Sequence, residues 1–200
     1  MINQISLENM LSGLDGRLGE DDYTEPLEIL ITSAKNNNKF NLFGAIAFKN
    51  QLQNRLKMRS KLYSFVKDKD LPSPANPIFV TGLPRSGTTF LFNLLALDEK
   101  HRSPKYWEIM SLMPLAKNSF DIKMKELRIN AELKFARTII PKLRNMHHIR
   151  ANSPEECELL ATMNVRSFVY MCMANVPEYV EYLKDCSFES VFKWHRRFFQ

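Results

Sequence analysis

The sequence contains no run of about 18 apolar residues, so no segment is expected to span a bilayer. Its first residues, Met1-Ile2-Asn3-Gln4-Ile5-Ser6, lack the basic and then apolar pattern of a secretory leader, and a cytoplasmic protein is the expectation. Three cysteines, Cys157, Cys172 and Cys186, cannot pair evenly and have no metal-ligand spacing. A disulfide framework and a cysteine metal centre are both excluded on that count. Cys157 and Cys172 fall in an apolar helical pattern and read as reduced core thiols. No internal repeat or low-complexity tract occurs. No basic run is interleaved with stacking aromatics, which argues against a nucleic-acid partner.

What is present suffices for a globular core: 200 residues, 44% hydrophobic and 25% charged. The formal charge of +6 is unevenly spread, with eight Lys or Arg against three acids between Asp121 and Arg150. Such a stretch is either a solvated helix face or a field that steers a polyanion such as a nucleotide.

Residues 5–15 and 24–35 read as short helices, and 41–69 as a long amphipathic one with Leu42, Ile46, Leu52, Leu56, Leu62 and Phe65 near one face. Leu71-Pro72-Ser73-Pro74-Ala75-Asn76-Pro77 then breaks the pattern. This is the clearest boundary, and it divides a helical N-terminal extension, residues 1–70, from a second region, residues 71–200. Ile78-Phe79-Val80-Thr81 follows as a short apolar run that reads as a buried strand of a parallel sheet. The turn from Gly82 to Gly87 leads into a helix starting at Thr88, with Leu91, Leu94 and Leu95 on its buried side. Further helices are predicted from Ser119 to Pro141, from Ser153-Pro154 onward, near Pro177, and from about Ser187.

Gly82-x-x-x-x-Gly87-Thr88-Thr89 has the spacing of a phosphate-binding loop, but Thr88 stands where a nucleotide triphosphatase has lysine. The turn's amides and the free donors of the following helix still make an anion cradle. Small residues at Ser86 and Gly87 admit a ligand closely, and the hydroxyls of Ser86, Thr88 and Thr89 add donors. The cation lies inside the loop, at Arg85. Without the lysine, and with no acid-ended strand to hold Mg²⁺, phosphoryl transfer is disfavoured and no metal is expected.

Pro84-Arg85-Ser86-Gly87-Thr88-Thr89 resembles the 5′-phosphosulfate loop of PAPS-dependent sulfotransferases. Asp21-Asp22-Tyr23-Thr24-Glu25-Pro26-Leu27, Trp107-Glu108, Ala151-Asn152-Ser153-Pro154-Glu155-Glu156-Cys157 and His195-Arg196-Arg197-Phe198 are similar to the bacterial-type members of that family. The resemblance implies an α/β, P-loop-like fold with a parallel sheet. It also implies transfer of a sulfuryl group from PAPS (3′-phosphoadenosine 5′-phosphosulfate) to the hydroxyl or amine of a small-molecule acceptor, leaving PAP. On that footing Pro84, Arg85, Ser86, Gly87, Thr88 and Thr89 bind the donor, and Arg85 stabilises charge on the bridging oxygen.

The acceptor needs a base. Glu108 resembles the glutamate that serves this role in arginine-bearing members, while His147 and His148 are the competing candidates, since imidazole suits proton removal near neutral pH. His195, beside two arginines on a helix, reads as structural. The arginine and serine that hold the 3′-phosphate in the family have no counterpart before Gln200. With a single expected strand, the chain therefore reads as an incomplete, helix-rich half that alone binds PAPS weakly and turns over little. The rival readings are a P-loop nucleotide kinase or phosphotransferase, and a non-enzymatic helical interaction module with a vestigial loop. Acceptor identity and oligomeric state are not legible.

Overall fold

Polar caps and proline breaks cut the chain into helices. The computed structural model describes residues 5–14, 18–72, 76–83, 86–139 and 149–200. Among them lie α1 (Leu7–Leu11), α2 (Thr24–Asn37), α3 (Leu42–Val66), α4 (Thr88–Leu95), α5 (Tyr106–Ser111), α6 (Ser119–Ile139), α7 (Glu158–Ala161), α8 (Pro177–Asp185) and α9 (Glu189–Phe199), with 3₁₀ turns at Thr162–Asn164 and Phe168–Cys172. The chain forms two units, one from Met1–Ala75 with Glu158–Gln200, the other from Asn76–Cys157. A single cut near residue 70 does not describe this, because the last helices of the chain return to the first unit.

Every regular element among the described residues of the first unit is helical. Asn41 caps α3 by accepting the Gly44 amide at 2.7 Å. Ala45, Phe48, Leu52, Leu56, Arg59, Leu62 and Val66 then recur every three or four residues and are buried. Leu42 and Ile46, expected on that face, are nearly half exposed; the 3.6-residue period carries Ala45 and Phe48 inward instead. Leu27, Leu30 and Ile31 of α2 close the core with Val165, Tyr170, Tyr179 and Leu183. The Tyr179 hydroxyl serves the irregular segment before α8: it accepts the Ser167 amide at 3.0 Å and lies 2.9 Å from the Val165 carbonyl, to which it donates. A group so buried has its phenol pushed far above the usual range by desolvation.

Ser153-Pro154, expected to open a helix, does not. The helix begins at Glu158, lasts four residues and gives way to the 3₁₀ turns. Residues 151–155 are engaged elsewhere, in backbone pairing described below. Cys157 and Cys172 are exposed rather than core thiols, and none of the three cysteines is in a disulfide.

In the second unit, α5 and α6 pack through Trp107, Ile129 and Ala151. Lys125 donates to the carbonyls of Ser111, Leu112 and Pro114 at 2.7, 2.8 and 2.5 Å, satisfying the open C-terminal end of α5. Part of the basic stretch is therefore committed to this helix end. The expected parallel sheet is not formed among the described residues, whose one β-bridge is antiparallel, between Lys105 and Pro154. Ile78 and Phe79 stand 60% and 82% exposed, and α4 buries no residue, although Leu91, Leu94 and Leu95 were expected on an inner face. A parallel strand is stable only when neighbours take its amides and helices cover its faces, and the described residues supply neither.

Candidate anion-binding loop

Gly87 precedes α4 at φ 88°, ψ 11°, a left-handed conformation that glycine adopts without strain. The Leu91 amide bonds the Gly87 carbonyl at 3.0 Å, so the helix is wound from its first turn. No side chain caps that turn among the described residues, and the early amides of α4 face outward with the partial positive end of the helix. Ser86 folds back onto the start of the loop, its amide bonding the Leu83 carbonyl at 3.2 Å. A Cβ on Gly82 would stand 2.8 Å from Ser86 Oγ and 3.0 Å from Thr88 Cγ2, so a side chain there would push both aside. Turn, glycine and helix thus stand in the expected order, with Ser86 and Gly87 exposed and Thr88 and Thr89 half-buried. Pro84 and Arg85 lie outside the described residues, as do His147 and His148.

Three sequence stretches meet around this turn. The Tyr106 amide bonds the Ser153 carbonyl at 3.0 Å, Trp107 bonds Ala151 at 2.9 Å, and Glu155 bonds Pro104 at 3.0 Å. These pairs fix Ser153-Pro154-Glu155-Glu156 alongside the start of α5. Thr89 then reaches the same segment, its hydroxyl donating to Glu156 Oε1 at 2.8 Å. Sequence reasoning grouped these segments as signatures but assigned Glu156 no part; only the contact with Thr89 identifies it.

Glu108 is the third helical residue of α5 and is 8% exposed. Its Oε2 accepts the Lys105 amide at 2.8 Å, and its Oε1 accepts from Arg102 Nη2 at 2.7 Å. One oxygen therefore holds the helix start and the other pairs with an arginine whose side chain is 74% exposed. Among the described residues no three His, Cys, Asp or Glu gather as a metal site, and no helix is long and apolar enough to cross a membrane. An open depression of about 310 Å³, lined by Met171, Val176, Pro177 and Val180, belongs to the helical unit and carries none of the loop's donors.

A sulfotransferase-family model matches residues 77–196. Two solved structures are similar over nearly the whole chain. Sulfotransferase STF1 from Mycobacterium tuberculosis H37Rv is 25% identical with a TM-score of 0.75, covering 96% of this chain and 56% of that one. Sulfotransferase STF9 from Mycobacterium avium is 20% identical with a TM-score of 0.76, covering 97% of this chain and 53% of that one. The chain thus spans just over half the length of these structures. A search of curated proteins gives no match.

Proposed function

Because the chain belongs to the sulfotransferase family, we propose that it carries the donor-gripping half of an enzyme that moves a sulfuryl group from PAPS to a hydroxyl or amine of a small acceptor. The observation that supports this most is the left-handed Gly87 leading into an uncapped helix start, with Ser86, Thr88 and Thr89 around it. That arrangement offers amide and hydroxyl protons to an oxyanion and no lysine to a β,γ-diphosphate.

In the proposed reaction the acceptor oxygen attacks sulfur as the bond from sulfur to the bridging phosphate oxygen breaks. PAP leaves with the electron pair, and the acceptor's proton passes to a base. The loop amides hold the phosphate end, and Arg85 is assigned to the bridging oxygen, where negative charge grows. A guanidinium suits that position because it stays charged and presents a planar fork. Glu108 is proposed as the base. Its Oε1 becomes available when the exposed Arg102 swings aside, while Oε2 keeps the side chain fixed through the Lys105 amide. His147 and His148 are the alternative. We place the protein in the cytoplasm, where cysteines stay out of disulfides.

The reading is tested by retention on immobilised PAP without Mg²⁺. Weak retention of the chain by PAP, and none by ATP, is expected. Retention by ATP that depends on Mg²⁺ would instead favour a nucleotide phosphotransferase, and failure on both supports would overturn the nucleotide role of the loop.

A further inference from the structure

A threonine hydroxyl has a single proton to give, and that of Thr89 goes to a carboxylate. Glu156 Oε1 accepts it at 2.8 Å, within the first turn of α4, where a negative charge is favoured by the helix dipole. Glu156 is not drawn there by chance folding of a loose side chain. Its backbone belongs to the segment tied to α5 by the pairs Tyr106–Ser153 and Glu155–Pro104, and its own amide bonds Glu155 Oε1 at 2.9 Å. The carboxylate itself is exposed, so it can swing into water at little cost.

We propose that Glu156 is a positioning residue that acts through Thr89: it stands in for the ligand's anion at the rim of the loop and must give up the Thr89 proton before a phosphosulfate is held. This rests on the reading of the loop as the PAPS site. The argument is one of charge and proton count. An anion cradled by residues 86–89 would face the Glu156 carboxylate across the same hydroxyl, and two oxyanions cannot share one proton without repulsion. The Thr89 hydroxyl either stays on Glu156, contributing nothing to the ligand, or rotates to the ligand as Glu156 leaves. The protein thereby keeps the loop's charge satisfied when empty and sets the donor affinity below what the amides alone would give.

The test is a titration of PAP into the 200-residue chain and its variants without Mg²⁺, with far-UV circular dichroism as the folding control. Glu156→Gln keeps an acceptor for Thr89 but removes the charge, and is expected to tighten PAP about tenfold; Glu156→Ala should gain at least as much. Thr89→Val is expected to weaken PAP about tenfold. In the Thr89→Val background, Glu156→Gln should gain less than half as much on the logarithmic scale, because the shared proton is gone. A merely structural Glu156 would make its variants bind worse. If wild type binds PAP and the Glu156 variants bind equally or more weakly, the inference is overturned and the PAPS reading stands. If none of the folded proteins binds PAP, the PAPS reading fails and takes the inference with it.

Discussion

The guanidinium of Arg59 lies 4.2 Å from the centre of the Trp194 ring, joining the middle of α3 to the last helix of the chain. Both side chains are wholly buried. Arg59 Nε donates to the Leu18 carbonyl at 2.6 Å, Nη2 to the Glu20 carbonyl at 2.7 Å, and Nη2 also to Asp22. Desolvation pulls its pKa down from the usual arginine value and Asp22 pulls it back up. Asp22 in turn accepts from the Asn164 side-chain amide at 2.7 Å. One arginine therefore fixes the loop before α2 against elements from both ends of the sequence.

Arg59→Ala should destabilise the helical unit by about 3–5 kcal/mol, because it leaves Asp22 and two carbonyls without their buried donor. Arg59→Lys should recover only part of this, since an ammonium cannot reproduce the fork. Urea unfolding followed by far-UV circular dichroism checks both; a loss under about 1 kcal/mol for the alanine variant would show that the network is not structural.

The same corner carries a paired carboxylate. Arg197 grips Glu20 through both guanidinium nitrogens, at 2.7 and 2.5 Å, and this hydrogen bonding holds the Glu20 pKa down at about 2, from 4.5. A depressed carboxylate pKa adds stability above the unfolded value and loses it as pH falls through the folded one. The window is therefore pH 4.5 to about 2. With Glu20 half exposed, solvent screening keeps the contribution under about 1 kcal/mol. Arg197→Met should be slightly less stable than wild type at neutral pH, the gap closing across that window and shrinking in high salt. A gap that persists at pH 2 would mean that Arg197 acts through its packing on Trp194 instead.

How far the sequence foretold these features depends on the range of the interactions. Helices α2, α3, α4 and α8 were legible because their caps, prolines and apolar periods are local. The order of turn, Gly87 and helix was legible for the same reason. Ser153-Pro154 misled because a good local helix start was outweighed by backbone pairing with residues 104–107, which no local pattern records. Leu91 and Leu94 were assigned an inner face on the premise of a sheet that the described residues do not form. The tie between Thr89 and Glu156 could not be read at all, since it depends on where two distant segments meet. Arg59 was likewise hidden: on the helical period it sits among core positions, and only the carbonyls brought to it explain a charge there.

Gly87 offers a direct test of the loop. A Cβ at this position meets nothing within 4 Å, so the cost of substitution is conformational rather than steric. Holding an L-residue at φ 88° costs about 1–2 kcal/mol, and the turn would relax toward negative φ, taking its amides out of line. Gly87→Ala should leave the helical unit's unfolding unchanged while weakening PAP about tenfold. Gly82→Ala should act by crowding Ser86, with a similar loss. Undiminished PAP affinity in both would show that the loop's backbone does not hold the nucleotide.

His195 gives the last prediction, and its sign is opposite to that of a histidine with an acidic partner. Burial lowers its pKa from 6.5 to about 4, and Nε2 has no hydrogen-bond partner among the described residues. The ring packs edge-on to Phe192, with centroids 6.0 Å apart. The folded protein thus keeps it neutral while the unfolded chain protonates at the ordinary value. Between pH 6.5 and about 4 the unfolded state binds the extra proton, so wild-type stability falls with pH across that window, by about 3 kcal/mol at most. His195→Leu should remove this slope, and the variant's stability relative to wild type should rise steadily as the solution is acidified from pH 6.5 to 4. Parallel stability curves for the two proteins over that range would mean that the imidazole reaches water and that its charge is tolerated in the fold.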